Sequence, residues 1–440
     1  MNNKNSNKVT YRNPWAWIPT LYFAEGLPYV AVMTISVIMY KKLGMSNTDI
    51  ALYTSWLYLP WVIKPFWSPF VDILKTKRWW IVMMQLLIGA GLAGIAFTLP
   101  TPFWLQASLA FFWLMAFSSA THDIAADGFY MLALDDSQQS FFVGIRSTFY
   151  RLASITGQGL LIIFAGFLEN KTGNISYAWS LTFFVMAGLF IAFFAYHKFI
   201  LPHPASDSGE SLNTPKQVLE EFLNTFKTFF TKEGIGMAIA FIFLYRLAEA
   251  MLVKIAYPFL LDPIADGGLG LSTQEAGIAY GTVGVVALTL GGIIGGIVAS
   301  HQGLKYWMWP MALAITLPNV AYLLMAIYQP SNFVWVNVGV AVEQFGYGFG
   351  FTAFMLYLIY FSQGQHKTAY YSICTGLMAL GMMLPGMAAG WIQEHLGYVN
   401  FFIFIMICTI PTLVIVPFMK VDKNYGCAKK TDDNTINETN

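Results

Sequence analysis

The chain has 440 residues, 57% hydrophobic and 11% charged, with a formal net charge of +1 and a mean hydropathy of +0.56. Soluble domains carry about 25% charged residues, so this composition excludes an ordinary soluble fold and reads as a polytopic membrane protein. The near-neutral charge points away from nucleic acid. The three cysteines, Cys374, Cys408 and Cys427, have no spacing that suggests disulfides or a metal.

A membrane-spanning helix takes about 20 mostly apolar residues. Twelve candidates follow in order, at 15–40, 50–70, 79–99, 102–125, 141–168, 175–197, 234–261, 273–300, 306–328, 333–361, 367–393 and 398–419. The expected class is an all-α polytopic membrane protein of twelve transmembrane helices in two six-helix bundles. Ahead of the first segment, the polar "MNNKNSNKVTYRNPW" lacks a signal-peptide core with a cleavage site, so that segment is expected to be retained.

The first segment contains "YFAEGLPYV", where Glu25 lies within an apolar run and Gly26 and Pro28 weaken the helix beside it. The second carries Lys64 in "WVIKPFW" and leads into "SPFVDILKTKRW", with Asp72, Lys77 and Arg78. The fourth ends in "ATHDIAADGFYMLAL", where Asp123 and Asp127 are four apart and share a helical face. The fifth holds Arg146 and, a turn or more deeper, Arg151. Lys64 and Arg146 either reach toward the interface or pair with the two aspartates as a gate. Arg151 suits an anionic substrate, because guanidinium binds carboxylates bidentately.

A polar connection over 198–233 divides six segments from six. The expected domains are 1–197, the linker 198–233 and 234–440. Within the linker, Thr214, Pro215 and Gln217 form a helix-start signal. Val218, Leu219, Phe222, Phe226 and Phe229 then recur at helical spacing. That helix either lies on the membrane surface or serves as a plain linker. Beyond it, "LYRLAEAML" answers "LYFAEGLPY", matching Glu249 to Glu25. Arg246 and Glu249 are three apart and can pair on one face, and Lys254 lies further along. Glu343 sits within the tenth segment.

Charges at mid-membrane cost about 2.5–3.5 kcal/mol on insertion scales and normally serve function. Glu25, Glu249 and Glu343 are the proton-coupling candidates. Tyr22, Arg151, Arg246 and Lys254 are the substrate-binding candidates. Lys64, Asp72, Lys77, Arg78, Asp123, Asp127 and Arg146 are the charge-pair or gating candidates. Neither metal-ligand spacing nor a catalytic set is present. Sixteen basic residues fall on the linker side of the segments and three on the other, which places both termini in the cytoplasm.

"GGIVASHQGLKYW" after the eighth segment fits Gly-x-x-Ala-x-x-x-Gly-x-Lys at Gly296, Ala299, Gly303 and Lys305, a loop signature of the major facilitator superfamily. "KPFWSPFVD", "SSATHDIAADGF", "GIRSTFYRLASITGQG" and "GYGFGFTAFMLYLIYFSQGQHKTAYYSICTGL" together resemble the AmpG-type muropeptide permeases of that superfamily. The related acetyl-CoA transporters share parts of the pattern. The resemblance runs from about residue 15 to 419. It matches Lys64, Asp72, Asp123, Asp127, Arg151, Gly350, Thr352 and Phe354 to family positions, and departs at Gly128-Phe129, where the family has Ala-Trp. It implies a bacterial inner-membrane importer of anhydro-muramyl peptides or related amino-sugar saccharides. It further implies proton symport by alternating access, no cofactor and a functional monomer. The alternatives are a carrier for another glycan-derived sugar or an acyl-CoA-like anion and, remotely, a membrane-embedded transferase.

Overall fold

The structure, a computed structural model, describes residues 12–134, 136–204, 207, 215–364, 367–423 and 425–426. These residues are helical or in connections, with no strand among them. Six long helices come first: α1 (Pro14–Lys42), α2 (47–74), α3 (Lys77–Thr98), α4 (Trp104–Ala133), α5 (136–172) and α6 (Ile175–Ile200). A shorter helix, α7 (Pro215–Phe230), follows. Six more complete the described chain: α8 (Ile235–Leu261), α9 (Thr273–Gln302), α10 (Leu304–Tyr328), α11 (Phe333–Phe361), α12 (367–396) and α13 (398–418).

Eight stretches, the last holding both α12 and α13, are long and apolar enough to cross a membrane. Besides the short α7, the helices that fall short are α2, α4 and α11, which carry Lys64, the Asp123–Asp127 pair and Glu343. α4 runs eight residues past its expected end, because "HDIAAD" turns its polar groups to one side without breaking the helix. Between α12 and α13 the chain turns at Gly397, whose φ of 72° suits a residue without a Cβ.

Several helices are interrupted where the sequence is weak. Pro28 sits inside α1 and removes one backbone donor; the helix then widens to π geometry over Ala31–Ile35. α2 breaks at Leu57–Tyr58, just before Pro60. α8 breaks at Arg246, which leaves helical geometry at φ −114°, ψ 15°. α5 and α9 carry π segments at Thr156–Leu161 and Gly277–Gly284, and these two segments pack on each other. Such π stretches are frequent at functional sites.

Within the first six helices, α3 packs on α4 and α6, and α1 on α5. Within the last six, α9 and α10 pack on α11, and α8 on α12. The two sets meet where α1 packs on α8, α2 on α8 and α12, and α5 on α9. α7 lies across one end of the molecule. Its Phe226 ring is 5.2 Å from Phe66 of α2, and its Phe229 ring is 5.6 Å from Tyr370 of α12. Here that end is termed the linker end and the opposite one the far end. Thr214, the expected cap of α7, lies outside the described residues.

A buried polar chain ties four helices of the first half. Gln85 of α3 joins His122 of α4 at 3.0 Å and His197 of α6 at 2.9 Å, and His197 reaches Thr20 of α1 at 2.9 Å. Gln85→Leu removes the partner of His122 and one of the two partners of His197, with no solvent to replace them. Each buried orphan costs about 1–3 kcal/mol, so the melting temperature in detergent is expected to drop clearly; an unchanged value would show that the chain adds nothing.

Candidate functional site

Charged residues gather within each half. In the first half, Glu25 of α1 is buried and its Oε2 has no hydrogen-bond partner. Around it, Asp123 accepts from Trp61 Nε1 at 3.1 Å and lies 3.7 Å from Lys64. Asp127 accepts from Arg146 at 2.7 Å. The Arg146 guanidinium also stacks over the rings of Tyr22, 4.5 Å from its centroid, and Tyr130, 5.0 Å away. Cation–π contacts of this kind suit a partly desolvated arginine. The side chain of Asp72 lies outside those described.

Lys77 and Arg78 stand apart from this cluster. Their backbone N–H groups donate to the Asp207 carboxylate at 2.7 and 3.1 Å, so Asp207 caps the start of α3. Arg78 turns to the carbonyls of Leu201 and Lys198. The Lys77 stem fills the space beside Gly128, where an ideal Cβ would come within 2.8 Å of Lys77 Cε. The neighbouring Phe129 packs edge-on to Trp17 at 5.3 Å. The Gly128-Phe129 departure thus accompanies a local packing arrangement.

In the second half, Glu249, Glu343 and Arg246 are all buried. Glu343 Oε2 accepts from Gln344 at 2.9 Å, while Glu343 Oε1 and Glu249 Oε2 have no partner. The Gln344 amide also donates to the Tyr280 hydroxyl at 3.2 Å, which brings Tyr280 to the same cluster. Arg246 and Glu249 do not form the expected ion pair: no ion-pair contact within 4.0 Å joins them among the described residues. The helix breaks at Arg246, so the three-residue spacing no longer keeps the two side chains on one face. Arg246 bonds to the Tyr347 hydroxyl instead and lies 4.7 Å over Phe351 and 5.6 Å over Phe354.

Lys254 is 2% exposed and forms no ion pair among the described residues. Its Nζ crosses to the first half, donating to Thr54 at 3.0 Å and lying 4.8 Å over the Tyr58 ring. Arg151 of α5 faces Gly292 of α9, where an ideal Cβ would lie 3.6 Å from its Nη2. No described carboxylate forms an ion pair with Arg151. The interior therefore presents three cations, Arg151, Arg246 and Lys254, that lack an ion-pair partner among the described residues. Gly350 and Thr352 serve close packing: Thr352 donates to Gly348 and Gly292 carbonyls at 3.2 and 3.3 Å.

The far end is fastened by groups that sequence reasoning missed. Lys41 of α1 pairs with Asp262 at the end of α8 at 2.5 Å. Tyr398 donates to the same carboxylate at 2.5 Å, and Asn47 of α2 donates to Gln393 at 2.6 Å. Thr273 of α9 donates to Glu169 of α5 at 2.7 Å. Of these, all but the Tyr398–Asp262 bond join the first six helices to the last six. Lys41 and Asp262 side chains are 15% and 14% exposed, whereas Arg146 and Asp127 are 28% and 44% exposed. The far end is thus the closed one, while Asp127 and Arg146, toward the linker end of α4 and α5, stay partly exposed. Lys41 and Lys42 were the visible signal, being two of the three basic residues on that side.

The family profile described as Major Facilitator Superfamily matches residues 20–384. The chain belongs to the Major Facilitator Superfamily. It is accordingly a multi-pass membrane transporter and not an enzyme. A Rickettsia conorii protein named AmpG 4 is 28% identical over 92% of this chain and 96% of its own. The anhydromuropeptide permease of Escherichia coli is 25% identical over 95% of this chain and 82% of its own. Among solved structures, a POT family transporter bound to 5-aminolevulinic acid superposes with a TM-score of 0.71 at 13% identity, covering 91% of this chain and 95% of that one. A D-xylose-proton symporter gives 0.69 at 10% identity, covering 93% and 97%. These structures share the superfamily fold with this chain.

Proposed function

We propose that this transporter imports amino-sugar saccharides or muropeptides together with protons. Residues 1–197 and 234–440 act as two rocking halves joined by the 198–233 linker. The observation that carries the reading is the end-to-end likeness to an anhydromuropeptide permease. The interior chemistry supports it. Arg151, Arg246 and Lys254 suit the carboxylates of a peptide-bearing sugar, and Glu25, Glu249 and Glu343 suit protons. Asp123–Lys64 and Asp127–Arg146 act as charge pairs that hold the linker-side ends of α2, α4 and α5 in register. With the linker end in the cytoplasm, as the basic-residue bias indicates, the structure corresponds to an inward-facing state of a monomeric carrier in the bacterial inner membrane.

Uptake of labelled anhydro-muropeptide into proteoliposomes tests this. A pH gradient, alkaline inside, is expected to drive accumulation, and a protonophore to abolish it. Glu25→Gln and Glu343→Gln are each expected to lose gradient-driven accumulation while keeping substrate exchange. The reading fails if uptake ignores the gradient, or if both variants accumulate substrate fully.

A further inference from the structure

Fourteen tryptophans are spread along the chain, and their indole rings differ in what holds them. Among the described residues, two donate from Nε1 to a carboxylate, Trp179 to Glu169 at 2.8 Å and Trp61 to Asp123 at 3.1 Å. Trp179 is fully buried, so its ring serves packing. Trp61 of α2 stays half-buried, and its surroundings are polar. Asp123 Oδ2 accepts from the indole and also faces Lys64, one turn further along α2. Such an ion pair within membrane helices faces the interior or an aqueous cavity rather than lipid. Tyr29 of α1 lies 5.3 Å from Trp61 with its ring at right angles, and no described ring is stacked parallel to the indole. The indole is thus fixed in orientation without a ring laid against it.

A fixed aromatic ring beside a carboxylate suits a pyranose. Sugar rings carry C–H groups on one face and hydroxyl or amide groups round the rim. The indole takes the apolar face. Asp123 Oδ1, bonded to nothing among the described residues, can accept from a hydroxyl or an acetamido N–H.

The second half offers a complementary group. Arg246 is 7% exposed, and its Nε has no partner. The Tyr347 hydroxyl and the Phe351 ring hold the guanidinium in place. One buried donor is therefore left for an anion. The two groups lie on the same side of a fixed reference. Lys254 ties α8 to α2 at Thr54 and the Tyr58 ring. α2 runs from the far end to the linker end, and α8 runs the opposite way. From the Lys254 contact toward the linker end, Trp61 is three residues along α2 and Arg246 eight along α8. At 1.5 Å per residue these are about 5 Å and about 12 Å of helix.

The geometry points to Trp61 as the residue on which the sugar ring of the substrate stacks, with Asp123 positioning the indole and Arg246 taking the acidic end. This rests on the sugar-bearing substrate proposed above and adds where each end of it sits. The first half reads the sugar and the second half reads the acid. A molecule carrying both groups bridges the halves, and one carrying a single group does not.

The test is equilibrium binding of labelled anhydro-muropeptide to the full chain in lipid nanodiscs. The competitors are an uncharged N-acetylglucosamine disaccharide and the free peptide. Both are expected to compete in wild type. Trp61→Leu is expected to weaken the muropeptide about tenfold or more and to lose competition by the disaccharide, while the peptide competes as before. Arg246→Gln is expected to give the reverse. Trp61→Phe should recover much of the disaccharide competition, and Asp123→Leu should lose it with the indole still present. Saturation-transfer NMR on the wild-type protein needs no variant to fold. Saturating aromatic protons is expected to label the ring C–H groups of the disaccharide more strongly than its acetyl methyls, and labelling of the methyls alone overturns the inference. Unchanged muropeptide and disaccharide binding in Trp61→Leu also overturns it, as does equal weakening of both competitors, and either result leaves the transport reading in place. A wild type that binds neither sugar-bearing probe overturns the sugar-substrate reading and the inference with it.

Discussion

Gly281→Leu is expected to hold the far end open and stop transport. Gly281 lies on the π segment of α9, and an ideal Cβ there would fall on the carbonyl of Gln158 in the π segment of α5. The obstacle is backbone, so no side-chain rotation relieves it. The two helices belong to different halves, and parting the halves does relieve it. Overpacking of this kind costs about 1–3 kcal/mol, sometimes more, and every 1.4 kcal/mol is tenfold in a population. The far-end-closed state should therefore lose about one to two decades of occupancy. Spin labels at Lys171 and Ser331, both exposed at the far end, in a chain whose native cysteines are replaced, read the separation. A wild-type distance distribution in Gly281→Leu would refute the expectation. Gly348→Leu makes the contrast. Its Cβ would strike the Leu288 carbonyl of α9, inside one half. No movement of the halves relieves that clash, so the expected result is loss of folded, monodisperse protein.

Asp262→Ala is expected to unfasten the same end by removing its ion pair. The Asp262 carboxylate takes Lys41 at 2.5 Å and the Tyr398 hydroxyl at 2.5 Å, largely out of water. Removing one partner of a buried pair costs about 3–5 kcal/mol. Lys41 keeps Asn47 Oδ1 at 2.7 Å, which softens the loss. The cost falls only on the closed state, since opening lets water take Lys41. The expected result is a shift of two or more decades toward far-end opening, read by the same label pair. Exchanging the charges, Lys41→Asp with Asp262→Lys, should recover much of the closed population. Closure in Asp262→Ala equal to wild type would show that the pair contributes nothing.

The helices were legible because the membrane leaves so few options: each apolar run of about 20 residues must satisfy its own backbone, and only a helix does so. Twelve runs therefore gave twelve helices, and the "G-x-K" loop and the family blocks gave the superfamily. The individual carboxylates and cations of the interior were legible for the same reason, because a charge inside an apolar run stands out. Their partners were not. Arg246 and Glu249 look paired by spacing, and the break at Arg246 undoes it. Asp127 and Arg146 lie on different helices and meet at 2.7 Å only through the packing of α4 against α5.

Sequence by itself determined the class, the count of spans and which residues carry charge into the membrane, since each follows from local composition and the energy of burying polar groups. Tertiary structure alone decided which charges neutralise one another, which remain unpaired, and which end is closed. The Lys41–Asp262 clasp joins residues over two hundred positions apart, and the Gly281–Gln158 seam depends on two helices from different halves touching backbone to backbone. No local pattern encodes those distances; they arise only when the first six helices settle against the last six.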